Sequence, residues 1–548
     1  MNDVSRRPSE AGRVNACLAL DDVVDAVVWL RAQGVRRLVS DSRQLQPGDA
    51  FLAWPGTRDD ARRFLAQAAQ AGVACALIES QDAEPWLVSA QDALQDGTAR
   101  LPPVATLPSL KWLAGPLADL WWGQPSQQLD VLAVTGTNGK TSTSWWLAQS
   151  LSAVGRRCGV AGTLGVGLLP ALDTTGLTTP DALSLQHCLA RLGAQGAVAC
   201  AMEASSIGLV EGRLNGTQIR VALFSNFTQD HLDYHGSMQA YWEAKRRLFA
   251  WSGLRAAVLN VGDARLAALA QELAESTHAL AALDLWTVRQ HPGPGALPAA
   301  RLVAHEVVHA ADGLRFQVTE SGAGGGTVSV KTPIIGAFNV DNLLLVLGGL
   351  RALGVGLAQA ASALAGLYPV PGRLQRVPLP AAKAAGETPG PEVVVDYAHT
   401  PDALDKVLHS LRPWAQQRAG RLWCVFGCGG DRDPVKRPLM GRVAVDGADC
   451  VILTSDNPRS EDPQHILKGI VAGVPAAQRA SVAVQEDRRK AIAHAIAEAA
   501  SNDVVLVAGK GHEDYQEVRG QRLPFSDVAV AAECLTQRLA ERVVGVRP

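Results

Sequence analysis

Val131-Leu132-Ala133-Val134-Thr135-Gly136-Thr137-Asn138-Gly139-Lys140-Thr141-Ser142 is an apolar run that stops at a glycine-rich loop bearing one lysine. The apolar half predicts a buried parallel strand, and Ser144-Trp145-Trp146-Leu147-Ala148 beyond it predicts the apolar face of a helix. A strand–loop–helix junction of this kind aims backbone N–H groups and a helix N-terminus at anionic oxygens. Gly136, Thr137, Asn138 and Gly139 therefore read as a phosphate cradle, Lys140 as the cation for the terminal phosphates, and Thr141 or Ser142 as a hydroxyl for Mg2+. The usual G-x-x-x-x-G-K-[ST] pattern begins with a glycine where this chain has Val134, so the loop is a variant of that form.

Around this stretch the same grammar recurs: a short apolar strand, a polar or glycine-rich motif, then a helical pattern. It is the grammar of an α/β fold with parallel sheets, in which ligands gather at the carboxyl ends of strands. A chain of 548 residues exceeds one hydrophobic core. Three domains are predicted. Residues 1–125 would be a small N-terminal α/β domain, with a strand at 37–39 followed by Ser40-Asp41-Ser42-Arg43, a helix over 61–71 and a strand over 74–78. Residues 126–370 would be a central nucleotide-binding domain with a mainly parallel sheet, its strands over 197–202, 221–225 and 256–259 ending at Glu203, Asn226 and Asn260. Its tail, 291–300 and 320–326, is rich in Pro, Gly and Ala and reads as loops between short strands, and a helix is expected over 339–353. Tyr368-Pro369-Val370-Pro371-Gly372 marks a hinge into a Rossmann-like domain, 371–548, which opens with a loop at 380–391.

Composition excludes several classes. The chain carries 51 Lys plus Arg against 53 Asp plus Glu, so no basic field points to nucleic acid. Although 47% of residues are hydrophobic, no run approaches the ~20 residues that span a bilayer, and the polar start, Met1 to Glu10, has no apolar signal segment. A soluble cytoplasmic protein is expected. Nine cysteines without a spacing framework argue against disulfides, and Cys424 and Cys428 read as buried small side chains rather than as a zinc or redox pair.

The strand ends carry the chemistry. Glu203 closes one strand as an acidic ligand for nucleotide-bound Mg2+ would. Asp230-His231-Leu232-Asp233-Tyr234-His235 holds two aspartates and two histidines in six residues, a metal site or a solvated polar loop. Lys245 lies in an amphipathic helix and by spacing alone is a surface lysine. Further on, Asp396-Tyr397-Ala398-His399-Thr400-Pro401-Asp402, Gly427-Cys428-Gly429-Gly430-Asp431-Arg432-Asp433, Asp456-Asn457-Pro458-Arg459 and Gly509-Lys510-Gly511-His512-Glu513 each follow a strand. Arg432 and Arg459 suit carboxylates, while Asp456 and Glu513 suit an ammonium, so these ends predict a pocket for a zwitterion.

Taken in order, Thr135 to Thr141, Met202-Glu203-Ala204-Ser205-Ser206, Asp230 to His235, Gly336-Ala337-Phe338-Asn339, Asp396 to Asp402 and Asp456 to Arg459 resemble the motifs of the Mur ligases, from about Ser40 to Asp527. The resemblance implies an ATP- and Mg2+-dependent acid–amino-acid ligase of peptidoglycan precursor synthesis, a process that serves cell shape and division. ATP would convert the D-glutamate side-chain carboxylate of UDP-MurNAc-L-Ala-D-Glu to an acyl phosphate, and the amine of meso-diaminopimelate would displace phosphate. By the same matching Lys140, Glu203, His231 and Lys245 are the expected catalytic residues, with Thr141, Glu203, His231 and Lys245 as metal ligands, the lysine after carbamylation by CO2. Gly136 to Ser142, Asn339, Arg373, Asp396 and His399 would contact ATP. Ser40, Ser42, Thr57, Arg58, Asp59, Thr178, Thr179, Ser205, Glu211 and Arg213 would follow the UDP-sugar dipeptide. Arg432, Asp456, Asn457, Pro458, Arg459, Gly509 and Glu513 would bind diaminopimelate, with Arg459 reading the distal carboxylate that lysine lacks. Its partners would be small molecules only, and a monomer is expected. Two positions depart from the family pattern: Ile207 replaces a histidine and Glu211 a glutamine.

Overall fold

The computed structural model describes residues 17–56, 59–95, 97, 99–275, 283–290, 300–310, 312–322, 325–378 and 390–545, with side chains to 540. The chain divides into two compact units, one of residues 1–135, 156–223 and 229–257, the other of 136–155, 224–228 and 258–548.

In the first unit a five-stranded parallel sheet runs in the order Leu18–Ala19, Val104–Leu107, Cys75–Glu79, Ala50–Ala53, Leu38–Val39. The second strand from that last edge, Ala50-Phe51-Leu52-Ala53, is wholly buried because both faces are covered: Leu52 packs with Leu30 and Leu117, Phe51 with Leu65 and Leu87. The helix expected over 61–71 is a 3-10 turn, Ala61–Phe64, followed by an α-helix, Leu65–Gln70, because the Asp60 side chain caps Arg62 N. The same unit holds Asp130–Thr135 paired in parallel with Ala199–Glu203, which pairs in parallel with Cys158–Gly162. An antiparallel hairpin, Gly165–Leu168 with Ala171–Asp173, closes that edge.

In the second unit the phosphate-loop helix, Lys140–Ala153, packs on the helix Asn339–Ala352, as apolar patterning in both requires. The short strands expected between the loops of the tail are an antiparallel meander, Leu302–Ala310, Gly313–Glu320 and Gly326–Thr332, and the expected loop at 320–326 is the connection between its last two strands. Alternating Thr, Val and Ser in Gly326–Thr332 suits a strand wetted on one face. Of the expected loops, 291–299 and 380–389 lie outside the described residues.

Strands of the last sheet run Gln375–Arg376, Glu392–Asp396, Val504–Ala508, Leu422–Phe426, Cys450–Leu453, Val482–Val484, parallel except for the first. Strict alternation sends Val394, Leu422, Cys424, Phe426 and Leu506 to one face and Val393, Val395, Trp423, Val425 and Val505 to the other. Helices Pro401–Gln417 and Lys436–Gly447 cover the first face, Arg488–Glu498 and Asp527–Gly545 the second. Register pairs Asp396 with Ala508 and Phe426 with Leu453, so the four polar motifs emerge side by side at one edge. All nine cysteines are free, and burial pushes the thiols of Cys424 and Cys428 up to about 12, in keeping with small core side chains.

Candidate active site

The phosphate loop is built from positions where a side chain would collide. At Gly139, φ is +85° and a Cβ would stand 2.4 Å from Asn342 Oδ1; at Gly136 a Cβ would stand 1.9 Å from Ser225 Oγ. The segment after the strand Val221–Phe224 cradles the loop: Asn138 N donates to Asn226 Oδ1 (2.9 Å), Asn226 Nδ2 to Asn138 O (3.1 Å), and Thr228 N to Thr137 Oγ1 (2.9 Å). Lys140 Nζ donates to the carbonyls of Gly136 (2.9 Å) and Thr137 (2.8 Å), which holds the cation over the loop, and Thr141 and Ser142 are buried at the helix start. The loop also meets the start of helix Pro401–Gln417, where Asp402 Oδ2 accepts from Asn138 Nδ2 (3.3 Å), Thr228 Oγ1 (3.4 Å) and Lys406 Nζ (2.9 Å).

Other expected nucleotide contacts serve the backbone nearby. Asn339 donates to Ile335 O (2.8 Å) and accepts from Asn342 Nδ2 (2.9 Å). Asp396 takes Leu374 N (2.7 Å) on one oxygen and Ala398 N (2.8 Å) on the other, tying the segment after Gly372 to its strand end; burial pushes its carboxyl up from the ordinary range. Arg373 lies over the ring of Tyr397, 4.4 Å to its centroid, and Tyr397 meets His399 edge-on at 4.6 Å.

The four adjacent strand ends converge as expected, with most of their charges already answered. Lys510, fully buried, donates from Nζ to Asn457 Oδ1 (3.0 Å) and Glu513 Oε2 (2.9 Å), and Asn457 Nδ2 donates to the same Glu513 oxygen (2.7 Å). Burial works against the Glu513 charge, but Lys510 outweighs it and holds that carboxyl below its usual value. Gly509, at φ +111°, lets Asp456 approach: a Cβ there would stand 2.4 Å from Asp456 Oδ2. Burial raises Asp456 despite the cations of Arg488 and Lys510. Arg459, itself in a left-handed conformation (φ +53°), donates to Gly430 O (2.6 Å), while Pro458 lies so close to Gly430 that a Cβ would stand 2.0 Å from its carbonyl oxygen; Arg432 is exposed. The hairpin Tyr515–Val518 with Gln521–Pro524 braces the motif through Glu517 N to Asn457 Oδ1 (2.9 Å) and Gln516 Nε2 to Asp456 O (2.7 Å). Beneath it Arg488 and Asp527, both wholly buried, pair at 2.7 Å, and Arg488 also donates to the carbonyls of Ser455 (3.3 Å) and Ala508 (2.9 Å).

In the first unit, Glu203 is buried at its strand end, where Thr163 N donates to Oε1 (2.7 Å) and Thr163 Oγ1 to Oε2 (3.2 Å). Beside it Thr179 Oγ1 donates to Glu203 O (2.8 Å) and shares a hydrogen bond with Ser205 Oγ (2.9 Å), Thr178 receives one from Thr163 (3.3 Å), and Arg213 donates to Thr179 O (3.0 Å). Lys245 is buried rather than a surface lysine, its ammonium 4.5 Å from the Tyr241 ring centroid; His235 and His231 stand 5.2 and 6.0 Å from the same ring. Glu211 accepts from Lys111 Nζ (2.7 Å) and Tyr234 OH (2.5 Å). Near the N-terminal sheet, Ser40 follows the strand Leu38–Val39, Ser42 opens a 3-10 turn, and exposed Asp59 pairs with Arg63 (2.9 Å); Thr57 and Arg58 lie outside the described residues.

Residues 134–350 match the Mur ligase middle domain and residues 372–511 the Mur ligase glutamate ligase domain. The chain belongs to the Mur ligase family. This Mur ligase is 52% identical over 96% of its length to the UDP-N-acetylmuramoyl-L-alanyl-D-glutamate–2,6-diaminopimelate ligase of Acidovorax sp. (strain JS42), 99% of which is covered. It is 44% identical to the protein of that name from Janthinobacterium sp. (strain Marseille), over 95% of this chain and 98% of that one. A solved structure bearing the same name is 35% identical, with a TM-score of 0.61, covering 92% of this chain and 95% of the other. The three-domain α/β architecture expected of the family is therefore that of this Mur ligase.

The residues present fit a hard divalent cation. The buried Glu203 carboxylate and the His231 imidazole are oxygen and nitrogen donors of the kind such an ion takes. Among the described residues no group of three or more His, Cys, Asp or Glu side chains is placed to hold a metal ion. Several contributors escape sequence reasoning because their partners lie far along the chain: Thr163 on the Glu203 carboxylate, Arg488 on Asp527 and the carbonyls of Ser455 and Ala508, Gln516 on Asp456 O and Glu517 N on Asn457 Oδ1. Tyr241 escapes it because only packing brings its ring to Lys245. Lys510 stood within a quoted motif, and only its burial reveals its part.

Proposed function

We propose that this Mur ligase adds meso-diaminopimelate to the D-glutamate side-chain carboxylate of UDP-MurNAc-L-Ala-D-Glu, with ATP as the energy source, in cytoplasmic peptidoglycan precursor synthesis. The observation that carries the reading is the Asp456-Asn457-Pro458-Arg459 turn, held rigidly beside Lys510 and Glu513 where four parallel strands end. The names of the relatives agree with it.

A carboxylate is a poor electrophile until one oxygen becomes a leaving group. Transfer of the γ-phosphoryl group of ATP to the D-glutamate carboxylate gives an acyl phosphate and ADP; the amine attacks the acyl carbon, the C–O bond to phosphate breaks, and a proton leaves the new amide nitrogen. Gly136 to Ser142 would hold the phosphates, with Lys140 neutralising charge as it is transferred. Asn339, Arg373, Asp396 and His399 would position the rest of ATP. Thr141, Glu203, His231 and carbamylated Lys245 would hold Mg2+. Bound Mg2+ would supply charge neutralisation at the phosphoryl oxygens. Ser40, Ser42, Thr57, Arg58 and Asp59 are assigned to the uridine diphosphate sugar, and Thr178, Thr179, Ser205 and Arg213 to the muramoyl dipeptide side. Arg432 and Arg459 would take carboxylates of diaminopimelate, Asp456 and Glu513 its ammonium, with Asn457, Pro458 and Gly509 shaping the pocket. Domain limits at 125 and 370, rotation about Tyr368 to Gly372, and a monomeric state belong to the same reading.

The test is phosphate release by the purified protein with Mg-ATP and UDP-MurNAc-L-Ala-D-Glu, with meso-diaminopimelate or L-lysine as the amine. Release with diaminopimelate, and a product whose mass gains that residue, is the expected result; turnover with lysine alone would keep the ligase chemistry and refute the amino-acid assignment.

A further inference from the structure

Glu211 is a carboxylate already engaged by the protein. One oxygen accepts from Lys111 Nζ at 2.7 Å, the other from Tyr234 OH at 2.5 Å. Burial works against the charge, but these two hydrogen bonds outweigh it and hold the carboxyl below its usual range, while Tyr234 is pushed up to about 12 by burial first and then by Glu211. An apolar side chain at this position would accept from neither donor and would leave the half-buried Lys111 ammonium without its carboxylate.

The three partners belong to three segments of the first unit. Lys111 lies on the helix Leu110–Trp121, which packs against the five-stranded sheet; Glu211 ends the short helix Ser206–Val210; Tyr234 lies in the single helical turn Leu232–His235. That turn follows His231, whose φ of +52° is left-handed and costs on the order of 1 kcal/mol for a residue other than glycine. The strain persists because the turn is fastened at both ends of Ser206–Val210: His235 Nε2 shares a hydrogen bond with Ser206 Oγ (2.9 Å), and Tyr234 bonds to Glu211. Ser206–Val210 thus acts as a splint for the turn, and Lys111 ties the splint to the N-terminal part of the chain.

We infer that Glu211 is a positioning residue that sets His231 through Tyr234 and is itself set by Lys111, rather than a direct contact to the muramoyl dipeptide. The inference rests on the ligase reading only for the role of His231; the fastening stands on the contacts alone.

The test uses the full-length protein, the variants Glu211→Met, Tyr234→Phe and Lys111→Met, and the double variant Glu211→Met/Tyr234→Phe, with two readouts. Hydrogen–deuterium exchange over 229–237, without any ligand, should rise in Tyr234→Phe and Glu211→Met, by roughly five-fold for loss of one hydrogen bond, and by less in Lys111→Met, and the double variant should exchange no faster than Glu211→Met alone. The Mg2+ concentration for half-maximal phosphate release should rise by a similar factor, while the KM for diaminopimelate stays put. Unchanged exchange in both variants, or an effect confined to the KM for the UDP-sugar dipeptide, would overturn the inference and return Glu211 to the substrate. Because the exchange measurement needs no turnover, it stands even where the wild type releases no phosphate, an outcome that would refute the ligase reading alone.

Discussion

The strand-end pocket from Asp456 to Glu513 and the cluster around Tyr241 are both rich in buried charge, yet they are built differently. In the pocket, cations meet anions of the chain: Arg488 pairs with Asp527, and Lys510 with Glu513 and Asn457. Around Tyr241, Lys245 is seated against an aromatic ring, and elsewhere in the same unit the Glu203 carboxylate is seated by a threonine. The first arrangement couples the site to the stability of its sheet. On the proposed carbamylation of Lys245, the second should couple to activity with little effect on folding.

The largest effect that would break this contrast lies under the pocket. Arg488→Met leaves Asp527 buried without its cation, and a loss of about 3–5 kcal/mol in unfolding free energy is expected, read by denaturant titration. A change below ~1 kcal/mol would show that the pair is not what holds Ser455 and Ala508 at their spacing. Lys245→Met is the opposite case. Activity should fall on the order of 10²-fold or more while the melting temperature is kept or raised, since an apolar side chain replaces a buried amine. A carbamate signal in 13C NMR under labelled bicarbonate should vanish with it.

Smaller changes sharpen the comparison. Lys510→Met releases both Asn457 and Glu513, so the KM for the amino acid should rise roughly ten-fold while the KM for ATP is unchanged, measured by phosphate release. The smallest effect is with pH. Burial, with a lesser push from Arg373, lowers His512 from an ordinary 6.5 to about 4. As pH falls, the unfolded chain takes up this proton first, so stability is whole above about 6.5 and declines as pH drops towards 4. His512→Gln should flatten that part of the stability–pH profile, followed by thermal melts.

Most of the fold was legible because its signals are local and periodic. Leu422–Phe426 and Val504–Ala508 stand where continuous apolar runs predict them, and Glu203 closes its strand as expected. In the tail, short strands between glycine-rich loops were legible, but their antiparallel pairing from Leu302 to Thr332 was not, since no local pattern encodes which strands pair. At the site, residue types marked the glycine-rich loop before Lys140 and the polar motifs that converge at four strand ends. Burial was invisible: Lys245 sits in a helix whose spacing suits a surface lysine, and only its packing on Tyr241 distinguishes it. The bond from Glu211 to Lys111 joins positions a hundred residues apart, which no local pattern encodes.

The central claim is that the Asp456 to Arg459 turn selects an amino acid with a second carboxylate. The most direct measurement is the ratio of kcat/KM for meso-diaminopimelate to that for L-lysine, in the wild type and in Arg459→Met. The account predicts that the variant loses on the order of 10²-fold in this ratio, almost all of it from the diaminopimelate side. A ratio that survives the substitution would contradict it and place selection elsewhere in the pocket.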